Sequence, residues 1–180
     1  MIRQGEPMRI WICVVMAACL GAAWPAAAAV QGAGPAGFTV VETAHIAAAP
    51  AKVFATLATP SRWWSSDHTF SHDAANLSLD PRAGGCWCER LPGGGSVEHL
   101  RVIYVDPGRA LRLQGALGPL QEMPVQAVMT VTLTAAGGGT DLKLAYAVGG
   151  AGLQDISEAV DRVLGEQLAR LRSTVETGKP

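Results

Sequence analysis

From residue 38 onward the chain reads as short alternating runs, and only its last stretch changes to helical spacing. Residues 38–46 alternate and are rich in Val and Thr, the pattern of a half-buried strand. Residues 47–57 predict a short helix, with Pro50 in the first turn and Val53, Phe54 and Leu57 on one face. Pro60-Ser61 opens a second short helical piece that carries Trp63-Trp64, and residues 65–75 are polar loop. Six strand-like runs follow, at 76–80, 86–91, 97–105, 110–115, 125–135 and 141–148. Between them lie Pro92-Gly93-Gly94-Gly95, Asp106-Pro107-Gly108 and Gly137-Gly138-Gly139, turns made of residues that tolerate positive φ. After the hinge Gly149-Gly150-Ala151-Gly152, residues 153–175 predict a long amphipathic helix. Leu153, Ile156, Val160, Val163, Leu164, Leu168, Leu171 and Val175 recur at three- and four-residue spacing, with Asp155, Glu158, Asp161 and Arg162 opposite.

The order β-α-α-β6-α, with consecutive hairpins, predicts an α+β fold with a mainly antiparallel sheet of about seven strands. Such a sheet needs a cover for its apolar face, and only the last helix is long enough to supply it. A curved sheet wrapped round one helix leaves space between the two.

The front of the chain follows a different pattern. Arg3 and Arg9 precede an uncharged apolar run at 10–20, then Trp24-Pro25 and four alanines at 26–29. These are the parts of a secretory signal, with Ala27 and Ala29 at the small-residue positions and cleavage before Val30. The run is short for a membrane span, which needs about 20 apolar residues, so no transmembrane span is expected after cleavage. Met16-Ala17-Ala18-Cys19 also loosely resembles a lipobox, which would make Cys19 a lipidated N-terminus. Residues 30–37 are a Gly/Ala/Pro linker, and 38–176 form the domain.

Charge and cysteine narrow the possibilities further. The 180-residue chain carries −1; Arg3, Arg9 and Glu6 sum to +1, which leaves the rest at −2. Without a basic stripe, nucleic acid is not an expected partner. Two of the four cysteines, Cys13 and Cys19, lie in the signal. Cys86 and Cys88 remain, and residues two apart on a regular strand are about 6.6–6.8 Å apart, at the outer limit for a disulfide. Two half-buried thiols are therefore expected, with a strained, reducible bridge as the alternative.

Several strings resemble the SRPBCC superfamily, the helix-grip or START-like fold, in its polyketide-cyclase-like and chaperone-ATPase-activator-like branches. They are Pro50-x-x-Val53-Phe54-x-x-Leu57, Trp63-Trp64, Asp80-Pro81-Arg82-Ala83-Gly84-Gly85 and Val105-Asp106-Pro107-Gly108-Arg109-x-Leu111. The resemblance spans the whole domain and implies a hydrophobic cavity between sheet and long helix. It does not imply one activity, since a fold hosts many functions. The export signal argues against activating a cytosolic chaperone.

The expected ligand wall is Trp63, Trp64, Trp87, Leu100, Tyr104, Met129, Leu144 and Tyr146, with Glu89 and Glu98 as polar features. Adjacent Trp63 and Trp64 on a short helix are expected to point different ways. If Leu91 pairs with Ser96, Trp87 faces Leu100 and Glu89 faces Glu98, while Cys88 lies beside His99 and Cys86 beside Arg101. Residues 115–124, with Leu117, Leu120 and Met123 between glycines and prolines, form a flexible lip. His68 and His72 are the one metal-like spacing, but no third ligand is fixed and no metal is expected. No P-loop, dinucleotide fingerprint or G-x-S-x-G is present, so no cofactor is expected.

The expectation is an exported protein, periplasmic or secreted, that binds a small, mostly apolar ligand as a monomer or weak dimer. Its cavity is expected in the lower part of the usual range of about 300–1,000 Å³. The alternatives are a cyclase- or hydrolase-like enzyme using Glu89, Glu98 or His99, and an envelope protein-interaction module.

Overall fold

The structure is a computed structural model and describes residues 29–180 apart from Gln154; of the expected signal at 1–29 only Ala29 is among the described residues, and Cys19 lies outside them. Eight strands form one antiparallel sheet among these residues. In chain order they are β1 (Ala29–Gly34), β2 (Gly37–Ile46), β3 (Leu77–Leu79), β4 (Cys86–Arg90), β5 (Ser96–Asp106), β6 (Ala110–Gln114), β7 (Val125–Ala136) and β8 (Gly139–Gly150). They lie side by side in the order β1-β2-β8-β7-β6-β5-β4-β3, so the chain runs mostly as a meander, with β2 closing back onto β8. Two helices complete the fold, α1 (Pro50–Leu57) and α2 (Ser157–Thr177).

The strand count exceeds the expected seven because β1 occupies most of the stretch read as a linker. Val30 pairs with Val40 and Gln31 with Thr39. Strand pairing is made by backbone groups, and a run of Gly, Ala and Gln can supply them without an apolar pattern. The remaining strands fall within a few residues of their expected positions.

α2 starts at Ser157, four residues later than the periodicity predicts. Leu153 is nonetheless buried, so the apolar pattern there reports packing and not helix. Leu164, Leu168, Leu171 and Val175 form the buried stripe of α2, as three- and four-residue spacing requires. The helix stops at Gly178, whose φ of 83° ends it in the left-handed conformation, with its N–H bonded to the Thr174 carbonyl.

Against that stripe the sheet presents Val40, Leu111, Leu113, Met129, Val131, Leu142, Leu144 and Tyr146, all buried. This part of the core is filled. The void lined by Trp63, Met129, Leu144 and Leu168 has a volume of about 20 Å³, which is room for about one water molecule. The expected cavity under the middle strands is therefore closed.

Candidate functional site

The open space lies elsewhere. A cleft of about 770 Å³ is bounded by the 64–72 loop, the 117–122 lip, and Ile156, Ala159, Val160, Val163 and Leu164 at the start of α2. Its floor includes Leu77, Trp87 and His99. The volume is in the upper part of the range for ligand sites, above the expected size. Trp64 and the 117–122 lip both line the cleft, whereas Trp63 lines the filled void.

Both Trp63 and Trp64 are buried, contrary to the expectation that they diverge. The helical turn that precedes them, Pro60–Arg62, ends before Trp63, whose φ and ψ are −135° and −24°. The chain thus turns between the two rings instead of rotating them to opposite faces of a helix. Each packs edge-on against Trp87, with centroids at 5.9 and 5.1 Å. The Trp64 indole N–H donates to the His68 carbonyl at 2.9 Å, which fixes the start of the loop. Arg170 and Gln167 on α2 hold the same segment, through the Trp63 carbonyl and the Ser65 N–H.

The β4–β5 hairpin decides the chemistry. Cys86 pairs with Arg101 and Trp87 with Leu100, as expected. A β-bulge then shifts the register, so that Cys88 pairs with Glu98 and Glu89 with Val97. His99 is the extra residue, and it and Leu100 both face inward, at 6% and 1% exposure. The expected neighbours Glu89–Glu98 and Cys88–His99 are therefore not formed. Instead His99 Nε2 lies 2.9 Å from Glu89 Oε2.

Glu89 is buried, not a polar feature at the mouth. It also accepts the backbone N–H of Ser71 at 2.5 Å and of Phe70 at 3.1 Å. Burial alone would push its pKa up, but the Ser71, Phe70 and His99 hydrogen bonds outweigh this and hold it below the usual carboxylate value. Glu89 is thus an anion that anchors the 70–71 loop and turns the imidazole.

Glu98 faces outward, half-exposed, and pairs with Arg101 at 2.5 Å. Beside it Cys86 and Cys88 are joined as a disulfide, with Cα atoms 5.4 Å apart. This corrects the expectation of free thiols, which assumed regular strand spacing; next to the bulge the spacing is shorter. The two sulfurs and the Glu98 carboxylate lie together within 4.8 Å.

Tyr104 is also removed from the expected wall. A second bulge, between Val102 and Tyr104, turns Ile103 and Tyr104 outward at 44% and 46% exposure. The Arg112 guanidinium lies 5.6 Å from the centre of the Tyr104 ring. Leu100, Met129 and Leu144 are core residues. Tyr146 is fully buried and holds the lip: its hydroxyl accepts the Leu117 N–H at 3.0 Å and donates to the Gly115 carbonyl at 3.2 Å. Of the ten expected site residues, Trp64 and Trp87 line the cleft.

The sequence pattern puts His99 on the outer face, gives no role to Phe70, and reads Leu117 as lip and Val160 and Val163 as the apolar stripe of the helix; Phe70, Leu117, Val160 and Val163 all line the cleft. The adjacency of His99 to an apolar Leu100 in an otherwise alternating strand is the one local hint of a bulge. His68 and His72 lie at the mouth with Asp67 and Glu122; His68 Nε2 is 3.3 Å from Glu166.

A sheet curled on one long helix, with an apolar-walled cleft at the start of that helix, defines a helix-grip protein. The chain belongs to the polyketide cyclase / dehydrase and lipid transport family, whose model matches residues 37–176, and so to the SRPBCC superfamily. Solved structures with the same fold include CalU16 from Micromonospora echinospora, 17% identical, with 87% of each chain covered and a TM-score of 0.59. The Aha1 dimer from Colwellia psychrerythraea is 19% identical, with 79% of this chain and 98% of that chain covered and a TM-score of 0.57. Mll3558 from Rhizobium loti is 24% identical, with 75% and 94% covered and a TM-score of 0.57. None of the curated proteins compared matches the chain.

Proposed function

We propose that this is an exported protein that holds one small, mostly apolar ligand in the cleft beside the first half of α2. The observation that carries the reading is the cleft itself: about 770 Å³, walled by Trp64, Phe70, Trp87, Leu117, Val160 and Val163. An apolar ligand gains by leaving water in such a site, at about 25 cal/mol per Å² of apolar surface buried. The matched family, described by cyclisation, dehydration and lipid transport, supports the same class of cargo. Export is supported by the front of the sequence and by the Cys86–Cys88 bridge, since disulfides persist in oxidising compartments. No helix of the described residues is long and apolar enough to cross a membrane.

Nile red titration tests the reading. One saturable site is expected in the wild-type protein, and Val163→Trp, which fills the cleft from α2, should abolish it without loss of fold. Native mass spectrometry of protein purified from its envelope fraction should show a bound small molecule. Dye binding that survives Val163→Trp unchanged, or no binding by the wild type, would sink the proposal in favour of an interaction module.

A further inference from the structure

The floor of the cleft contains a polar pair that apolar burial does not explain. His99 lines the cavity yet is only 6% exposed. Its Nε2 faces Glu89 Oε2 at 2.9 Å, and Glu89 accepts two backbone N–H groups besides. A carboxylate that stays ionised can only accept, so Nε2 must carry the proton. Nε2 is thereby occupied, and Nδ1, which has no protein partner among the described residues, is the ring nitrogen left to a ligand. The Phe70 ring lies 5.8 Å from the imidazole centre.

Backbone construction keeps the ring there. The bulge that turns His99 inward is pressed by Gly115, whose φ is 142°. A Cβ at 115 would stand 2.7 Å from the His99 carbonyl oxygen. The register, the glycine and the two loop N–H groups thus fix one imidazole orientation at the bottom of an apolar cleft.

We propose that His99, oriented by Glu89, is the head-group acceptor of the cleft, and that the ligand is an apolar molecule bearing a neutral hydroxyl that donates to His99 Nδ1. This rests on the ligand-holding reading and deepens it. An anionic head group at Nδ1 is disfavoured, because Glu89 lies directly behind the imidazole. An ether or a hydrocarbon leaves Nδ1 without a donor, which costs affinity once water is displaced. His99 makes the contact; Glu89 is a positioning residue that acts through it.

The test uses three probes of one shape on the whole protein at pH 7: 2-naphthol, 2-methoxynaphthalene and 2-naphthoate. 2-Naphthol should bind about tenfold tighter than 2-methoxynaphthalene, the equivalent of about 1.4 kcal/mol, and 2-naphthoate should bind more weakly than 2-naphthol. His99→Phe should erase the naphthol preference, bringing 2-naphthol and 2-methoxynaphthalene to equal affinity. Nitrogen-15 shifts of the His99 ring should report the Nε2–H tautomer in the wild type and a mixture in Glu89→Gln, a readout that simple loosening of the fold does not mimic. Equal wild-type affinity for 2-naphthol and 2-methoxynaphthalene overturns the assignment and leaves the carrier reading standing. Tightest binding by 2-naphthoate, or a preference that survives His99→Phe, also overturns it. If none of the three binds, the carrier reading falls with it. The wild-type series and the tautomer measurement decide the matter even if His99→Phe does not fold.

Discussion

Glu42 on β2 meets α2 at Gly165, where a Cβ would stand 3.2 Å from Glu42 Oε1. The glycine makes room for a carboxyl that is only 4% exposed and faces Asp161 on the same helix. Neither Glu42 Oε1 nor Asp161 Oδ1 has a hydrogen-bond donor. Two facing carboxyl oxygens without donors favour a proton on one of them.

The pH dependence of stability follows from that pair. Burial, then the Asp161 charge, then the hydrogen bond to Asp161 push the Glu42 pKa up to about 7 from 4.5. Because the folded state holds its proton more tightly than the unfolded chain, this contribution is complete below about pH 4.5. It is lost as pH rises to about 7, at up to about 1.4 kcal/mol per pH unit. Glu42→Gln, which can donate to Asp161 at every pH, should flatten the slope and raise stability at pH 8 by about 1–3 kcal/mol. Urea unfolding of both proteins between pH 4.5 and 8 gives the answer. A wild-type stability that rises with pH across that window, after the change is isolated against Glu42→Gln, contradicts the shared proton.

A second prediction concerns Cys86–Cys88. The bridge closes a loop of only three residues, so its effect on the unfolded chain is small, roughly 1–2 kcal/mol by the chain-entropy argument. Replacing both cysteines by serine should lower stability by about that amount. It should also loosen the neighbouring bulge, which the His99 and Trp87 resonances would report. A loss beyond about 4 kcal/mol in denaturant melts would mean that the bridge organises the whole hairpin.

The sequence shows where strands and helices lie, because alternation and 3.6-residue spacing report which face is buried. It also places Trp87 opposite Leu100 and Cys86 opposite Arg101. Beyond those pairs the reading fails by one residue, because a bulge adds a residue without altering composition. The β5 residues just past it change face: His99 moves inward, and Glu98 moves outward beside the disulfide. The second bulge does the same to Tyr104. β1 escaped notice because its pairing uses backbone groups alone. The cleft is misplaced for a different reason: whether a space is filled depends on how Trp63, Trp64 and Trp87 meet across the fold, which no local spacing encodes.

Gly115→Ala should be among the most damaging single-methyl changes in the domain. The new Cβ meets the His99 carbonyl and the Leu100 Cα, which are backbone and cannot swing aside. The φ of 142° adds strain for any residue with a Cβ. A loss of about 2–3 kcal/mol is expected, against about 1 kcal/mol for Gly118→Ala, where φ is 54° but no atom lies within 4 Å of the new Cβ. Calorimetry of the two variants side by side compares a strained, crowded position with one whose cost is conformational. Equal shifts in Tm would show that contact with the bulge carries no weight.

The Tyr146 hydroxyl ties the lip to the sheet. Burial pushes the Tyr146 pKa up to about 12, with the Leu117 N–H pulling partly the other way, so the hydroxyl is neutral and can both accept and donate. It accepts from Leu117 and donates to Gly115, joining the two ends of the turn that leads into the lip to the middle of β8. Tyr146→Phe keeps the ring and the core but leaves the Leu117 N–H and the Gly115 carbonyl without this partner, at about 1–3 kcal/mol for a buried group left unpaired. The cost falls on the open end of the cleft, because Leu117, Gly118, Pro119 and Leu120 line it. Amide exchange at Leu117 should therefore speed up by at least tenfold, while exchange in β7 and α2 changes little. Nile red should dissociate about tenfold faster from the variant than from the wild type in stopped-flow release. Unchanged exchange at Leu117 and an unchanged release rate would show that the lip is held by Leu120, which is buried in the core, and not by Tyr146.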